Sequence, residues 1–189
     1  MKHFKPLFSA LALTSLCTAA AASGSLTLTP SVSSVTAGDS FAVQVRGSNF
    51  TDKVVGGGFN MSFDAALMSL SSVVVDAVEW DFNRSQGLTN NNAGLLSNVW
   101  FNAFADPLPS GNFAIATLTF FAKAAGTGAL TLMGSPDFPF ANDLVEVIDV
   151  SYGTGRVDIA AAVPEPASWA SLALGLALLP MLRRRLQAH

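Results

Sequence analysis

The sequence predicts an all-β fold, a sandwich of about eight or nine strands, with an export signal before it and a transmembrane helix after it. Three observations support this prediction. Residues 23–162 alternate between apolar and polar side chains with a period of two, which is typical of half-buried strands. Turn-forming residues interrupt these stretches at short intervals, as they do in sandwiches. The two end segments, residues 7–22 and 167–182, are almost free of charge.

The middle of the chain is long enough for one domain, and its composition excludes several functions. The whole chain has 189 residues, of which 50% are hydrophobic and 12% charged, and removing the ends leaves about 140. Ser23–Ala162 contains five basic and twelve acidic residues, a net charge of −7, which excludes nucleic acid as a partner. It contains neither Cys nor His, which excludes Cys–His and Ser–His–Asp catalysis and the usual zinc sites.

Residues 1–22 have the features of a secretory signal peptide. Two lysines precede an apolar stretch at Leu7–Leu16, and four alanines then offer a cleavage site. We expect signal peptidase to cut after Ala22, and an uncleaved anchor is the alternative. Because the one cysteine, Cys17, lies in this segment, the exported domain has no disulfide and depends on its core.

The strands of the middle domain can be predicted in order along the chain. Phe41–Arg46 and Phe59–Asp64 each have one apolar face, whereas Val73–Val75 and Ala114–Ala122 are apolar on both faces, as central strands are. Further strands are predicted at Ser25–Leu28, Ser97–Phe104, Gly128–Leu132, Leu144–Val150 and Arg156–Ala160. Turns are predicted between them, among others at Gly56–Gly58, Asn90–Asn92 and Asp106–Pro107.

Four segments of this domain, taken in order, resemble a cohesin-type domain. They are Val35–Val45, Gly58–Asp64, Ala114–Lys123 and Gly155–Ile159. The resemblance implies a nine-stranded jelly-roll sandwich, a fold that some carbohydrate-binding modules share. Our own interpretation is a non-enzymatic domain that binds a ligand through a sandwich face or its end loops.

The C-terminus has the most specific pattern of the chain. Val163 and the triplet Pro164-Glu165-Pro166 precede an apolar run at 167–182, and Arg183, Arg184 and Arg185 follow it. As a helix the run would span roughly 24 Å, slightly less than the hydrocarbon core, with the arginines as a stop on the cytoplasmic side. This pattern resembles a PEP-CTERM sorting signal.

The sorting-signal resemblance implies that the chain is a substrate of an exosortase in a Gram-negative bacterium that makes exopolysaccharide. The enzyme would cut near Val163–Pro166, where the prolines keep the chain extended, and attach the outer part to the envelope or matrix. A plain single-pass anchor is the alternative. Together the two resemblances predict an exported surface or matrix protein that binds extracellular polysaccharide and contributes to a biofilm. The alternative is a docking module for a dockerin-like partner.

Three aromatic side chains are candidates for ligand contact, namely Trp80, Trp100 and Tyr152, because an exposed ring can stack on a sugar. Core packing is the favoured interpretation for all three, and ligand contact is the alternative. Trp80 has charged neighbours, which favour exposure, whereas Trp100 lies in an apolar strand and is expected to be buried.

The carboxylates suggest no catalytic site. Glu79 and Asp81 are two residues apart and would lie on one face of a strand, whereas glycoside hydrolysis needs two carboxylates across a cleft. We therefore expect a solvated edge and no catalytic residue. Oxygen ligands for calcium are available at Asp137, Asp143, Glu146 and Asp149, but they match no D-x-D-x-D loop, so calcium is a minority interpretation and no other cofactor is predicted.

Overall fold

The computed structural model describes residues 22–30 and 34–162, which form a β-sandwich without a helix in these two ranges. Eight strands are seven residues or longer and five are shorter. In chain order they are β1 (Gly24–Pro30), β2 (Ser34–Thr36), β3 (Ser40–Phe50), β4 (Val54–Phe63), β5 (Met68–Val75), β6 (Asn83–Ser85), β7 (Leu88–Asn90), β8 (Leu95–Asn102), β9 (Gly111–Ala122), β10 (Gly126–Gly134), β11 (Ala141–Asn142), β12 (Val150–Tyr152) and β13 (Thr154–Ala160).

The strands form two sheets that face each other across one core. The smaller sheet has the order β12-β1-β3-β9-β5, and the larger has the order β2-β13-β10-β4-β8-β6, with β11 beside β4 and β7 beside β8. The pairs β1–β12 and β13–β2 are parallel, and the other pairs are antiparallel. Seven of the eight long strands overlap a predicted strand of more than three residues, since local alternation specifies them. The short strands β2, β6, β7 and β11 were not predicted, because two or three residues show no periodicity.

Every second side chain of the long strands points inward, and these side chains form the core between the two sheets. The core contains two groups of aromatic rings. Phe41, Val43 and Val45 of β3 are buried, as their alternation predicts. Five rings contact one another in a closed circuit with centroids 4.3–5.7 Å apart: Phe50, Phe113, Trp80, Phe101 and Phe140. At the other end of the core, Phe41, Phe63 and Phe120 form a group of three. The core is therefore more aromatic below one end of the sandwich than below the other.

The two ends of the sandwich differ in the strand connections that they carry. The acidic end consists of residues 51–53, 76–82, 103–110, 135–140 and 143–149. The opposite end consists of residues 37–39, 64–67, 91–94 and 123–125. The last strand runs toward the opposite end, where the Ala37 amide donates a hydrogen bond to the Ala160 carbonyl at 2.8 Å. The chain after β13 thus leaves the domain at the opposite end.

The prediction of a turn at Gly56–Gly58 was wrong, because these glycines lie inside β4 and are buried. They are needed for close packing. A Cβ at Gly57 would lie 2.6 Å from the ring of Phe140, and one at Gly58 would lie 2.8 Å from the Cβ of Phe138. Strand β4 accepts both neighbours only because it has no side chains there.

Two strand predictions also differ from the structure. Leu144–Val150 does not form a strand before Val150, and Val145 has a φ of 62°, a left-handed conformation that regular strand geometry excludes. Val73–Val75 lies in β5 as predicted, but β5 is an edge strand and not a central one. Val74 points away from the core and is exposed. An apolar triplet therefore does not by itself specify burial on both faces.

The predicted terminal segments, the signal peptide at 1–22 and the sorting signal at 163–189, lie outside the described residues except for Ala22. Within the described ranges, no helix has the length and apolarity that a membrane crossing requires.

Candidate functional site

The outer face of the larger sheet, formed by the side chains of β13, β10, β4 and β8 that point away from the core, is the candidate site. Strand alternation creates it, because Leu130 and Leu132 of β10 enter the core while Thr131 points outward. Cross-strand pairing places Thr154, Thr131, Ser62 and Leu95 in one row across four strands. Three of these four side chains are short and polar, so this part of the sheet is flat.

One margin of this face carries two opposite charges. Arg156 and Asp158 of β13 are both exposed and point outward. The hydroxyl of Thr127 donates a hydrogen bond to Asp158 at 2.9 Å. The face therefore combines a flat polar surface with a charged margin, which is typical of a surface for reversible protein contacts.

A hydrogen-bonded polar network covers the other half of the face. The backbone N–H of Asn98 donates to the side-chain oxygen of Asn60 at 2.7 Å, and the Asn98 amide donates to Asp137 at 3.1 Å. The hydroxyl of Ser135, a buried residue, donates to the Asn98 side-chain oxygen at 3.2 Å. The Asn60 amide donates to the Gly134 carbonyl at 3.3 Å. These bonds fix the segment after β10 against the face.

An aromatic pair lies beside this network. Trp100 is opposite Gly58 in the sheet register, and its ring stacks on Phe138 with centroids 5.5 Å apart and an interplanar angle of 23°. Both side chains are partly exposed. Because Gly58 has no side chain, Phe138 can lie directly on the sheet next to Trp100. The pair forms a rigid amphipathic platform of the kind that anchors protein contacts.

The three predicted aromatic candidates lie in three different environments. Trp80 is 0% exposed and its indole N–H donates to the Ala114 carbonyl at 3.0 Å, so the expectation that it is the more exposed tryptophan was wrong. The charged neighbours of Trp80 point to solvent from a loop while its ring enters the core. Trp100 lies on the candidate site instead.

Tyr152, the third candidate, lies on the other side of β10. A Cβ at Gly134 would be 3.1 Å from the tyrosine hydroxyl oxygen, and Gly134 pairs with the core residue Phe59. Partial burial raises the pKa of Tyr152 above its ordinary value. Tyr152 therefore closes the edge of the core and is not part of the candidate site.

The two carboxylates that the sequence placed on one strand face, Glu79 and Asp81, do not form a site. Glu79 and Asp81 lie in the loop at 76–82 and not on a strand. Asp81 accepts hydrogen bonds from the amides of Phe104 at 2.9 Å and Ala105 at 3.4 Å. The first of these hydrogen bonds is the main reason that the pKa of Asp81 lies below its ordinary value. Asp81 thus fastens a neighbouring loop.

The four acidic residues considered for calcium do not act together, and two of them have a hydrogen-bonded side chain. Asp137 is held by Asn98, and Glu146 accepts a hydrogen bond from the Asn142 amide at 3.3 Å. Within residues 22–30 and 34–162, no three Asp, Glu, His or Cys side chains lie close enough together to hold a metal ion.

Sequence reasoning missed the residues that organise the site, Asn60, Asn98 and Ser135. One signal was present in principle, since Asn98 has a φ of 55° and asparagine tolerates this conformation better than most residues. The register between β4 and β8 shifts here, because Phe59 pairs with Val99 and Met61 with Leu96, so the extra residue lies in β8 beside Asn98, and no local pattern encodes it.

Solved structures similar to this chain are cohesin modules. The module from a family 33 glycoside hydrolase of Clostridium perfringens has a TM-score of 0.61 and 12% identity, and the match covers 75% of this chain and 100% of that chain. The seventh ScaB type I cohesin of Pseudobacteroides cellulosolvens has a TM-score of 0.58 and 16% identity, covering 75% and 95%. A cohesin–dockerin complex with OlpC from Clostridium thermocellum gives 0.59 and 14%, covering 76% and 99%.

These identities show a shared fold, so the described part of the chain is a cohesin-like β-sandwich. No protein-family model matches the sequence, and no curated protein matches it either.

Proposed function

We propose that the chain is an exported docking module that binds a dockerin-like protein partner through the outer face of its larger sheet. The observation that carries the proposal is the agreement of the whole sandwich with cohesin modules, several of which were solved as complexes with dockerins. The flat rows of β10 and β4, the fixed polar network and the Trp100–Phe138 pair support the choice of this face.

Docking explains the site better than polysaccharide binding, which was the first expectation from the sequence. Trp80, the tryptophan whose charged neighbours favoured exposure, is part of the core. The aromatic pair of the site, Trp100 and Phe138, stacks ring on ring, and the rows around Thr131 contribute no further aromatic side chain for a sugar to stack on. The site also lacks a pair of carboxylates across a cleft, so the proposal involves no catalysis.

For the terminal segments, the proposal keeps the sequence interpretation. Signal peptidase would release the domain after export, and an exosortase would process it near Pro164-Glu165-Pro166, leaving it on the cell surface or in the matrix of a Gram-negative bacterium. Replacing these three residues by alanine should leave the full-length chain in the membrane fraction, as measured by immunoblotting. Normal processing of the variant would contradict the sorting-signal proposal and would leave the docking proposal untouched.

The test of docking compares one substitution on the two outer faces. Thr131→Arg places a long charged side chain in the middle of the larger face, and Thr117→Arg places the same side chain on the outer face of the smaller sheet. Each full-length variant is used to capture partners from the secreted proteins of the producing organism, with its exopolysaccharide as a second bait. A captured protein is then purified and titrated against each variant.

We expect one protein to bind the wild type and Thr117→Arg, and Thr131→Arg to weaken its affinity at least about 50-fold, since an interface of this kind loses several kcal/mol when an unpaired charge is buried in it. Equal binding by both variants would contradict the assignment of the face. Retention on the polysaccharide alone, competed by free sugar, would overturn the docking proposal.

A further inference from the structure

The acidic end of the sandwich carries a group of exposed apolar side chains that the docking face does not use. They are Val78, Phe82, Phe104, Leu144, Val145 and Val147, and we call them the apolar tip. The described connections at the opposite end, residues 37–39, 64–67, 91–94 and 123–125, contain no large apolar side chain of comparable exposure. An exposed apolar group of this size on one end of a small domain marks an interaction site more often than an accident of composition.

The register of the larger sheet places the two parts of the tip at the same level of the sandwich. Ala141 pairs with Gly56, Gly56 with Asn102, and Asn102 with Asn83, so four chain segments lie side by side at this level. Three strand spacings make this row about 14 Å wide. The tip residues follow directly beyond it, with Phe82 and Phe104 on one side and the loop at 143–147 on the other. Phe82 and Phe104 also contact each other, with ring centroids 5.4 Å apart.

The loop at 143–147 is built to present its apolar side chains rigidly. The buried side chain of Asn142 accepts hydrogen bonds from the amides of Leu144 at 3.0 Å and Glu146 at 2.9 Å. The Val145 amide donates to the Asn142 carbonyl at 2.9 Å. These bonds hold Val145 at a φ of 62°, an unfavourable conformation for a β-branched residue, with 79% of its side chain exposed. Such strain is typical of functional loops.

The charge around the tip indicates what can bind it. The five connections of the acidic end contain nine of the twelve acidic residues of Ser23–Ala162 and one basic residue, Lys53. Two copies of this end would repel each other, and an anionic bilayer would repel it too. A ligand that is both apolar and basic complements the apolar side chains of the tip and the carboxylates around them.

The other flank of the tip provides a concave surface. A groove of about 560 Å³ opens beside Phe82, between the edge strands β5 and β6, with Val74 and Ala77 among its apolar lining residues and Arg84 as the one charged residue among the described residues that line it.

We propose that the apolar tip is a second docking surface, which binds a basic, apolar segment of a protein partner. The segment would lay its apolar side chains across Phe104 and Leu144 while its lysine or arginine residues face the surrounding carboxylates. A width of about 14 Å matches two to three turns of an amphipathic helix. This surface is separate from the outer face of the larger sheet and does not require a dockerin-like partner.

The test uses a fluorescent model peptide of about 14 residues with leucines on one helical face and lysines on the other. Its affinity for the purified full-length chain is measured by fluorescence anisotropy. The control peptide has glutamate in place of each lysine. Two further measurements address other occupants, namely flotation with vesicles of phosphatidylcholine and phosphatidylglycerol, and sedimentation of the chain alone.

The protein variants remove one exposed apolar side chain each. Leu144→Ser acts at the tip, where Leu144 is 72% exposed, and Leu88→Ser is the matched control on β7, where Leu88 is 75% exposed. Val145→Asn removes the apolar group but suits the left-handed conformation, so it should raise the melting temperature while it weakens binding. This variant separates loss of the surface from loss of the fold.

We expect saturable binding of the lysine peptide, weakened roughly tenfold by Leu144→Ser and by Val145→Asn, and changed less than about twofold by Leu88→Ser. Raising the salt concentration should also weaken it. Equal binding of the two peptides, or equal binding by the wild type and both tip variants, would overturn the proposal. So would tip-dependent flotation with the vesicles or tip-dependent dimers, since these would assign the tip to a lipid surface or a second copy.

Discussion

The two ends of this sandwich are built from the same strands but have different surfaces and supports. The acidic end has five connections, nine carboxylates and the apolar tip above a circuit of five aromatic rings. The described connections of the opposite end are short and contain two acidic residues, Asp39 and Asp64, above a group of three rings. Longer connections with exposed apolar side chains thus coincide with the more aromatic half of the core.

This difference has a physical reason. Loops that expose apolar side chains gain little from their own burial, so their order must come from the residues beneath and beside them. Trp80 and Phe140 are such residues, since each belongs to a connection of the acidic end and inserts its ring into the core. The described connections of the opposite end are three or four residues long and insert no aromatic ring into the core.

The largest expected effect on this comparison comes from Trp80. Trp80→Ala removes the largest ring of the circuit and should lower the free energy of unfolding by about 4 kcal/mol, whereas Trp80→Phe should cost about 1–2 kcal/mol because the ring packing is largely kept. Chemical denaturation measures both values. A cost below about 1 kcal/mol for Trp80→Ala would show that the ring is not part of the core.

A smaller effect is expected at Gly57, where β4 touches Phe140. Gly57→Ala should cost about 2–3 kcal/mol, because its Cβ would lie 2.6 Å from the phenyl ring. Phe140→Ala should cost about 4 kcal/mol. The double variant should cost clearly less than the sum, since the ring that clashes is absent. Additive costs would mean that the glycine serves another purpose than this contact.

The smallest effect concerns the loop that Asp81 fastens to Phe104 and Ala105. Because the pKa of Asp81 is lower in the folded state, its charged form stabilises the fold above the ordinary value of 3.8, and this contribution is lost as the pH falls through the lowered pKa. Asp81→Asn should therefore melt at a lower temperature than the wild type at neutral pH, and the difference should shrink in acid.

Asp143→Asn is the control for this experiment, since it removes a charge from the same end. Melting curves of the three proteins between pH 7 and pH 3 provide the comparison. If Asp143→Asn reproduced the pH dependence of Asp81→Asn, the effect would come from the net charge of the acidic end and not from the two hydrogen bonds.

Much of the fold could be predicted from the sequence because strand alternation is a local property. Phe41, Val43 and Val45 point inward for the reason that the sequence suggests, and the turn after Asn90 lies where the asparagines occur. The candidate site was less predictable. Trp100 was named, but the network of Asn60, Asn98 and Ser135 joins three segments, so no single stretch of sequence contains it.

The sequence by itself determined the all-β class, the order of the long strands and the acidic charge of the domain, because periodicity, turn residues and charge depend on neighbouring residues only. Tertiary structure decided which tryptophan is buried, why β4 contains three glycines and how Val145 is exposed. In each case a distant segment takes part in the deciding contact. Trp80 bonds to Ala114, and the glycines pack against Phe138 and Phe140. Asn142, which holds the Val145 loop, is itself fixed by pairing with Val54 of β4.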